Sequence, residues 1–288
     1  NRLEDIIKNV AGIFKPAEKL TVAEWAQKYR YINLPGAHVG LWSADKTPYM
    51  VEPMEVLTSL SYTAMVFVGP ARTGKSDAFW NWAGYTAEND PTDMLLYGMT
   101  QSRASELGKG VWSKFVRAKK PEDTKSVMQK LLTTGKQNIY DKSFNNGMEL
   151  LIRWPSITEL SGKTVARVWI EDYDRIQPNP DDIDNQGTAF DLARKRTTTY
   201  RRFGMTGIEA SPGFEVTDMN WIASSPHEAP PTRGILSIYN RGDRRRWYWR
   251  CPCCNETFQP TFDLLKYPDY GDNLERAEQV YMECPSGN

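Results

Sequence analysis

The 288-residue chain is predicted to be an α/β protein, a mainly parallel sheet flanked by helices with a small appendage at its C-terminal end. Three observations carry this. Strand-like and helix-like segments alternate between residue 51 and about residue 226, the pattern of a parallel sheet covered on both faces. The apolar run Val66-Phe67-Val68 feeds directly into a G-x-x-x-x-G-K-S motif at residues 69–76. A second apolar run ends in the acidic group Glu171-Asp172-Tyr173-Asp174.

Residues 1–50 read as an irregular lead-in. They hold a short amphipathic segment (Leu3, Ile6, Ile7, Val10), a helix at 22–28, and a Pro/Gly-rich stretch at 35–40. From residue 51 to 245 a single large domain is expected. Its strands are placed at 63–68, 94–99, 148–153, 166–170 and 219–224, and its helices at 76–87, 101–119 and 188–202. The second element is typical: Ala78, Phe79, Trp82 and Ala83 recur at helical spacing immediately after the glycine motif. Residues 246–288 form the appendage. No internal repeat or low-complexity tract interrupts the chain.

Hydrophobic residues make up 40% of the sequence, enough for a sizeable core. No apolar run approaches the ~20 residues that span a bilayer, and no leader opens the chain, so a soluble cytoplasmic protein with no membrane partner is expected. The chain stops at Asn288 inside an unfinished cysteine motif and is expected to be part of a longer protein. Net charge is zero, so global charge does not advertise a nucleic-acid binder. Locally, Arg194, Lys195, Arg196, Arg201 and Arg202 cluster, as do Arg241, Arg244, Arg245, Arg246 and Arg250. Each cluster reads either as a solvated face or as a contact for phosphates. Trp80, Trp82, Trp112, Trp154, Trp169 and Trp221 sit in apolar-patterned segments and are assigned to core packing.

The glycine motif specifies a nucleoside triphosphate site of the P-loop NTPase fold. Gly69 and Gly74 let the backbone between them (Pro70, Ala71, Arg72, Thr73) turn its N–H groups toward phosphate oxygens, and the following helix adds its positive N-terminus. Lys75 reaches the β/γ-phosphates, and the Ser76 hydroxyl is the Mg²⁺ ligand. Such a site needs an acidic residue at a second strand end to hold Mg²⁺ and a carboxylate to polarise water. Glu171 and Asp172 supply both, in the order opposite to the usual Asp-Glu, which leaves their roles open. By position Glu171 is the Mg²⁺-side residue, Asp172 the general base and Asp174 a spare carboxylate. Arg72 either stabilises γ-phosphoryl charge in cis or points to solvent. The strand-like Asn220-Trp221-Ile222-Ala223 runs into Ser224-Ser225-Pro226, a segment suited to sensing phosphate loss.

The order of these motifs resembles the ATPase part of the lambda-type large terminase subunit of tailed bacteriophages. The resemblance covers about residues 20–260. Thr47-Pro48-Tyr49-Met50-Val51-Glu52-Pro53-Met54 is similar to that family's segment near the adenine, which places Tyr49 at the nucleotide. Ala71-Arg72 before Gly74 resembles its loop arginine. Leu160-Ser161 with Arg167-Val168-Trp169-Ile170-Glu171-Asp172-Tyr173-Asp174 resembles its Asp-Glu-x-Asp strand, with Glu and Asp exchanged. Asp191-Leu192-Ala193 with Arg196-Thr197 resembles its Leu-Ala-x-x-Arg-Thr helix, Ser224-Ser225-Pro226 its coupling motif, and Cys251-Pro252-Cys253-Cys254 its Cys-Pro-x-Cys knuckle.

The resemblance implies an ASCE-type fold and an ATP-hydrolysing motor that packs double-stranded DNA into a procapsid. It also implies a portal protein and a small terminase subunit as partners, homo-oligomers during packaging, and the host cytoplasm as location. The nuclease activity of whole family members is not expected of these residues, since no acidic triplet on strand ends follows Pro260. Cys251, Cys254 and Cys284 look like an incomplete zinc ribbon, with Gly287 where a fourth ligand would stand, so Zn²⁺ is either lost or completed from elsewhere. Two rivals remain: a helicase-like translocase, and a non-catalytic DNA-binding scaffold whose exchanged acidic pair has disabled hydrolysis.

Overall fold

A capping box opens the first helix among the described residues. The Thr21 hydroxyl accepts from the Glu24 N–H at 3.2 Å, and the Glu24 carboxylate takes the Thr21 N–H at 2.7 Å, starting α1 (Val22–Tyr29). This is the helix expected at 22–28. The computed structural model describes residues 18–286, so the segment of Leu3, Ile6, Ile7 and Val10 lies outside the described residues. The Pro/Gly-rich stretch is the turn of a hairpin joining β1 (Tyr31–Leu34) and β2 (His38–Leu41).

The main chain then enters α2 (Val51–Val56), β3 (Ala64–Val68), α3 (Lys75–Asn89) and β4 (Met94–Tyr97). The next helix runs from α4 (Gln101–Glu106) through a π turn, Leu107–Val111, into α5 (Trp112–Arg117). The wide turn lets the chain at Ile139 approach the helix backbone: a Cβ on Gly108 would stand 1.8 Å from the Ile139 carbonyl oxygen. Lys142 Nζ donates to the Gly108 carbonyl at 2.9 Å. After α6 (Val127–Leu131) come β5 (Leu132–Gln137), β6 (Asp141–Phe144), β7 (Glu149–Arg153), α7 (Ile157–Gly162), β8 (Arg167–Ile170), α8 (Ala189–Thr197) and β9 (Met205–Ala210). Helix α9 (Ile235–Asn240) follows a long irregular stretch.

Seven strands form one sheet in the order β3-β9-β8-β4-β7-β6-β5. The first five are parallel, and β6 and β5 extend the sheet antiparallel beyond β7. Alternation along each central strand makes two cores. Met94, Leu96, Leu150, Ile152 and Trp169 face the layer of α1 and α3, whereas Leu95, Tyr97, Leu151, Val168 and Ile170 face the layer of α8 and α9. Helix α1 lies so close to α3 that a Cβ on Gly84 would meet the Trp25 ring at 2.0 Å. The mixed α/β architecture with a mainly parallel sheet is thus the one expected.

Two differences matter. The hairpin β5/β6 has too little apolar periodicity to be read as strands. The strand expected at 219–224 is absent: this stretch is turn and irregular chain, with Met219 and Ile222 each 86% exposed. The sheet position is filled instead by β9, all six of whose residues are buried. Its sequence, Met-Thr-Gly-Ile-Glu-Ala, carries a glycine and a glutamate and so lacks the apolar signature of a buried strand.

The chain divides into two compact units, one of residues up to 221 with 229–242, the other of 222–228 with 243–288. The second holds the antiparallel pairs β10 (Trp249–Arg250) with β11 (Thr257–Phe258) and β12 (Leu265–Lys266) with β13 (Tyr281–Met282), together with α10 (Asn273–Glu278). Among the described residues no helix is long and apolar enough to cross a membrane.

Candidate nucleotide-binding site

The glycine loop joins β3 to α3 at the carboxyl edge of the sheet. The Gly69 N–H donates to the Ala210 carbonyl at 3.2 Å, so the loop leaves the sheet still paired with β9. Gly74 has φ 81° as the residue before Lys75, a left-handed conformation that glycine adopts without strain. Thr73 Oγ1 and Lys75 Nζ both donate to the Pro70 carbonyl, at 2.9 and 2.8 Å, which curls the loop around the ammonium. Lys75 is only 7% exposed. Arg72 is exposed and holds φ 68°, an uncommon conformation for a residue with a side chain. Tyr49 sits in a 3-10 turn, Pro48–Met50, packed partly against the core. Thr47, two residues before it, lies beside the loop: its methyl is 3.7 Å from where a Gly74 Cβ would stand.

The strand order decides what else arrives. Because β9 lies between β3 and β8, the glycine loop, the end of β9 and the acidic end of β8 stand side by side. Ser76 and Glu171 border one narrow recess with Phe79, Trp80, Leu96, Leu107 and Trp169. Glu171 is buried, and both its carboxylate oxygens accept from Arg103, Nε at 2.9 Å and Nη2 at 2.8 Å. Arg103, near the start of α4, also pairs with Glu106 at 2.9 Å. These carboxylates, Glu171 first, raise the already high pKa of the guanidinium further. Asp172 follows at φ 48°.

Asp174 is not a spare carboxylate. It accepts the Gly213 N–H at 2.8 Å and the Ile235 N–H at 2.6 Å, tying the acidic segment to the exit of β9 and to the start of α9. Burial raises its pKa.

The largest surprise is Glu209, on the strand whose pattern hides it. It is 1% exposed. Its Oε1 lies 3.4 Å from Ser76 Oγ, its Oε2 lies 3.9 Å from Lys75 Nζ, and Oε2 has no hydrogen-bond partner. Burial, then the nearby charges of Asp172 and Glu171, push its pKa up to about 8 against the weaker pull of Lys75 and the Asp172 backbone. Ser211, two residues on, accepts from Lys75 Nζ at 3.3 Å.

Ser211-Pro212-Gly213 is therefore the segment that leaves a sheet strand next to the loop lysine. Ser224 and Ser225 do not follow a strand. They belong to the second unit, where Glu228 caps Ser224 at 2.7 Å and Arg244 Nη1 bonds Ser225 Oγ at 2.6 Å.

The basic cluster of α8 is partly spent on the fold. Arg194 bonds Thr63 Oγ1 and stacks on Phe190, and Arg196 bonds the Ser161 carbonyl, leaving Lys195, Arg201 and Arg202 exposed. In the second unit Arg245 pairs with Asp243 and Arg246 with Gln259.

Also in the second unit, the sulfurs of Cys251, Cys254 and Cys284 lie within 4.8 Å of one another. The Cys254 and Cys253 N–H groups draw the Cys251 thiol down to about 7, toward the thiolate a metal requires. Cys253 is exposed, and His227 is engaged elsewhere, with the Arg244 carbonyl and the Tyr248 hydroxyl. Among the described residues three thiols make up the group, one short of the four a structural zinc takes; Gly287 lies outside them.

The raised pKa of Glu209 has a measurable consequence. Below its ordinary value of 4.5 both folded and unfolded chains are protonated. As pH climbs from there to about 8, the unfolded chain releases a proton that the fold retains, so stability is lost over that window. Glu209→Gln bears no such cost. It is expected to melt at a higher temperature than the parent at pH 7.5 and at nearly the same temperature near pH 4; equal melting at pH 7.5 would count against the buried neutral carboxyl.

A family model described as phage terminase large subunit gpA, ATPase domain, matches residues 36–288. Among solved structures, one of the HK97 bacteriophage large terminase is similar, with a TM-score of 0.49 and 10% sequence identity. That similarity covers 66% of this chain and 38% of the other. No curated protein matches.

Proposed function

The chain belongs to the family of phage terminase large subunit gpA ATPase domains, and we propose that it hydrolyses ATP to drive double-stranded DNA through a portal into a procapsid. What supports the reading is the convergence of a glycine loop, a buried lysine and an acidic strand end at one edge of a parallel sheet. Ligands of open α/β sheets bind at that edge.

In this reading the β- and γ-phosphates lie over the loop and the N-terminus of α3, with Lys75 turning from the Pro70 carbonyl to the phosphate oxygens. Tyr49 borders the base. Oxygen donors at Ser76 and Glu171, with the orphaned Glu209 oxygen beside them, suit a hard divalent cation such as Mg²⁺. When bound, that cation would neutralise charge on the phosphates. Glu171 can serve it only by sharing its carboxylate with Arg103, since both its oxygens already accept from the guanidinium. Asp172 is the proposed base that orients the attacking water. Exposed Arg72, or a neighbouring subunit's arginine, is the proposed stabiliser of γ-phosphoryl charge. Ser211, rather than Ser224, takes the coupling role, because it touches Lys75.

Exposed Lys195, Arg201 and Arg202 are proposed to contact the DNA backbone, which suits translocation because phosphate contacts carry no sequence information. The portal protein, a small terminase subunit and other copies of this chain are the proposed partners. The three-thiol group is proposed to hold Zn²⁺ with a fourth ligand from outside the described residues.

Phosphate release, measured with and without double-stranded DNA, tests the reading. The parent is expected to turn over and to be stimulated by DNA. Asp172→Asn should lose turnover while still binding ATP; retained turnover would reassign the base, and a parent without turnover would favour the scaffold. Strand separation by the parent would favour the helicase-like translocase.

A further inference from the structure

Glu209 is only partly satisfied where it lies, since the Asp172 backbone and Lys75 favour its charge less than burial opposes it. A carboxylate buried on a central strand is costly unless its oxygens are hydrogen-bonded, and Oε2 has no partner. The lysine beside it does not compensate: Lys75 Nζ is 3.9 Å away and donates instead to the Pro70 carbonyl at 2.8 Å and to Ser211 Oγ at 3.3 Å. The remaining close side-chain contact is Oε1 with the Ser76 hydroxyl, at 3.4 Å. Side-chain alternation along β9 turns Glu209 to the same face as Met205, the face that packs on α3.

A serine hydroxyl carries one proton and two lone pairs. To give a lone pair to a cation it must direct its proton at an acceptor, and the acceptor next to Ser76 is Glu209 Oε1. We propose that Glu209 is a positioning residue of the metal half of the nucleotide site: it takes the Ser76 proton, turns the hydroxyl lone pair toward the cation, and aims its orphaned oxygen at the same ion's surroundings. The proposal rests on the nucleotide reading above and adds a third carboxylate to it, contributed by the strand between the loop and the acidic pair. Outer partners of metal ligands act in this way, orienting the ligand and raising its basicity.

The test is a titration of a fluorescent ATP analogue against the full chain, once with Mg²⁺ and once with a chelator, for the parent, Ser76→Ala, Glu209→Ala, Glu209→Gln and the Ser76→Ala/Glu209→Ala double variant. The quantity read is the factor by which Mg²⁺ tightens binding. Glu209→Ala is expected to shrink that factor by about 10- to 100-fold while leaving chelator-condition binding unchanged. Glu209→Gln keeps an oxygen that accepts the Ser76 proton and is expected to fall between the two. In the Ser76→Ala background Glu209→Ala should change the factor by no more than about twofold, since residues that act through one another are non-additive. A parental Mg²⁺ factor in Glu209→Ala overturns the proposal. So does an equal loss with and without Mg²⁺ in both Glu209 variants, which is what a merely structural role would give, or a full additional loss in the double variant. A parent that binds the analogue under neither condition overturns the nucleotide reading itself.

Discussion

Lys75→Ala is expected to lower phosphate release by at least about 100-fold, the scale on which removing one preorganised donor to a developing charge slows an enzyme. The variant should stay folded. Lys75 donates to the Pro70 carbonyl and to Ser211 Oγ, both at the rim of the sheet, and none of its contacts belongs to either hydrophobic core. Lys75→Arg should be nearly as slow, because the lysine is only 7% exposed in its pocket and a planar guanidinium does not fit the place of a compact ammonium. A melting curve beside the rate measurement separates the two causes of inactivity. An unchanged rate in Lys75→Ala would remove the nucleotide site from this loop.

Trp169→Ala is expected to be the most damaging substitution for stability. Trp169 is 1% exposed on β8, its ring centroid 5.9 Å from that of Phe79 and 6.3 Å from that of Trp82. It also covers Gly207 on the neighbouring strand so closely that a Cβ there would stand 2.4 Å from the indole. Truncating a buried tryptophan to alanine costs about 3–5 kcal/mol, which for a unit of this size lowers the melting temperature by roughly 10 °C. Thermal unfolding measures it. Because Trp169 stands two residues before Glu171, the proposed nucleotide affinity should fall as well. Gly207→Ala, which forces the opposite error at the same contact, should be destabilising too. A loss below about 1 kcal/mol for Trp169→Ala would mean that the sheet and α3 are not packed as described.

Lys75 is legible in the amino-acid sequence, because a glycine loop, its lysine and its serine are contiguous and the preceding strand and following helix announce themselves by apolar spacing. Glu171 and Asp172 are legible for the same reason, as the acidic end of an apolar run. Arg103, Glu209 and Ser211 are not. Arg103 meets Glu171 across 68 residues of sequence, and Lys75 meets Ser211 across 136. Nothing local marks either the arginine or the serine, and the glutamate disguises its own strand by breaking the apolar pattern. The strand expected at 219–224 follows from that disguise: with β9 hidden, the next apolar stretch before a Ser-Pro pair reads as the strand.

Local pattern dictates the layered α/β plan and the glycine loop with its lysine and serine, since both depend on residues within a few positions of one another and on the periods of helix and strand. Which side chains share the site is a matter of tertiary packing. Inserting β9 between the loop strand and the acidic strand brings Glu209 and Ser211 to Lys75 and Ser76, and that strand order is set by the packing of two cores against a common sheet, a long-range balance that no local pattern encodes.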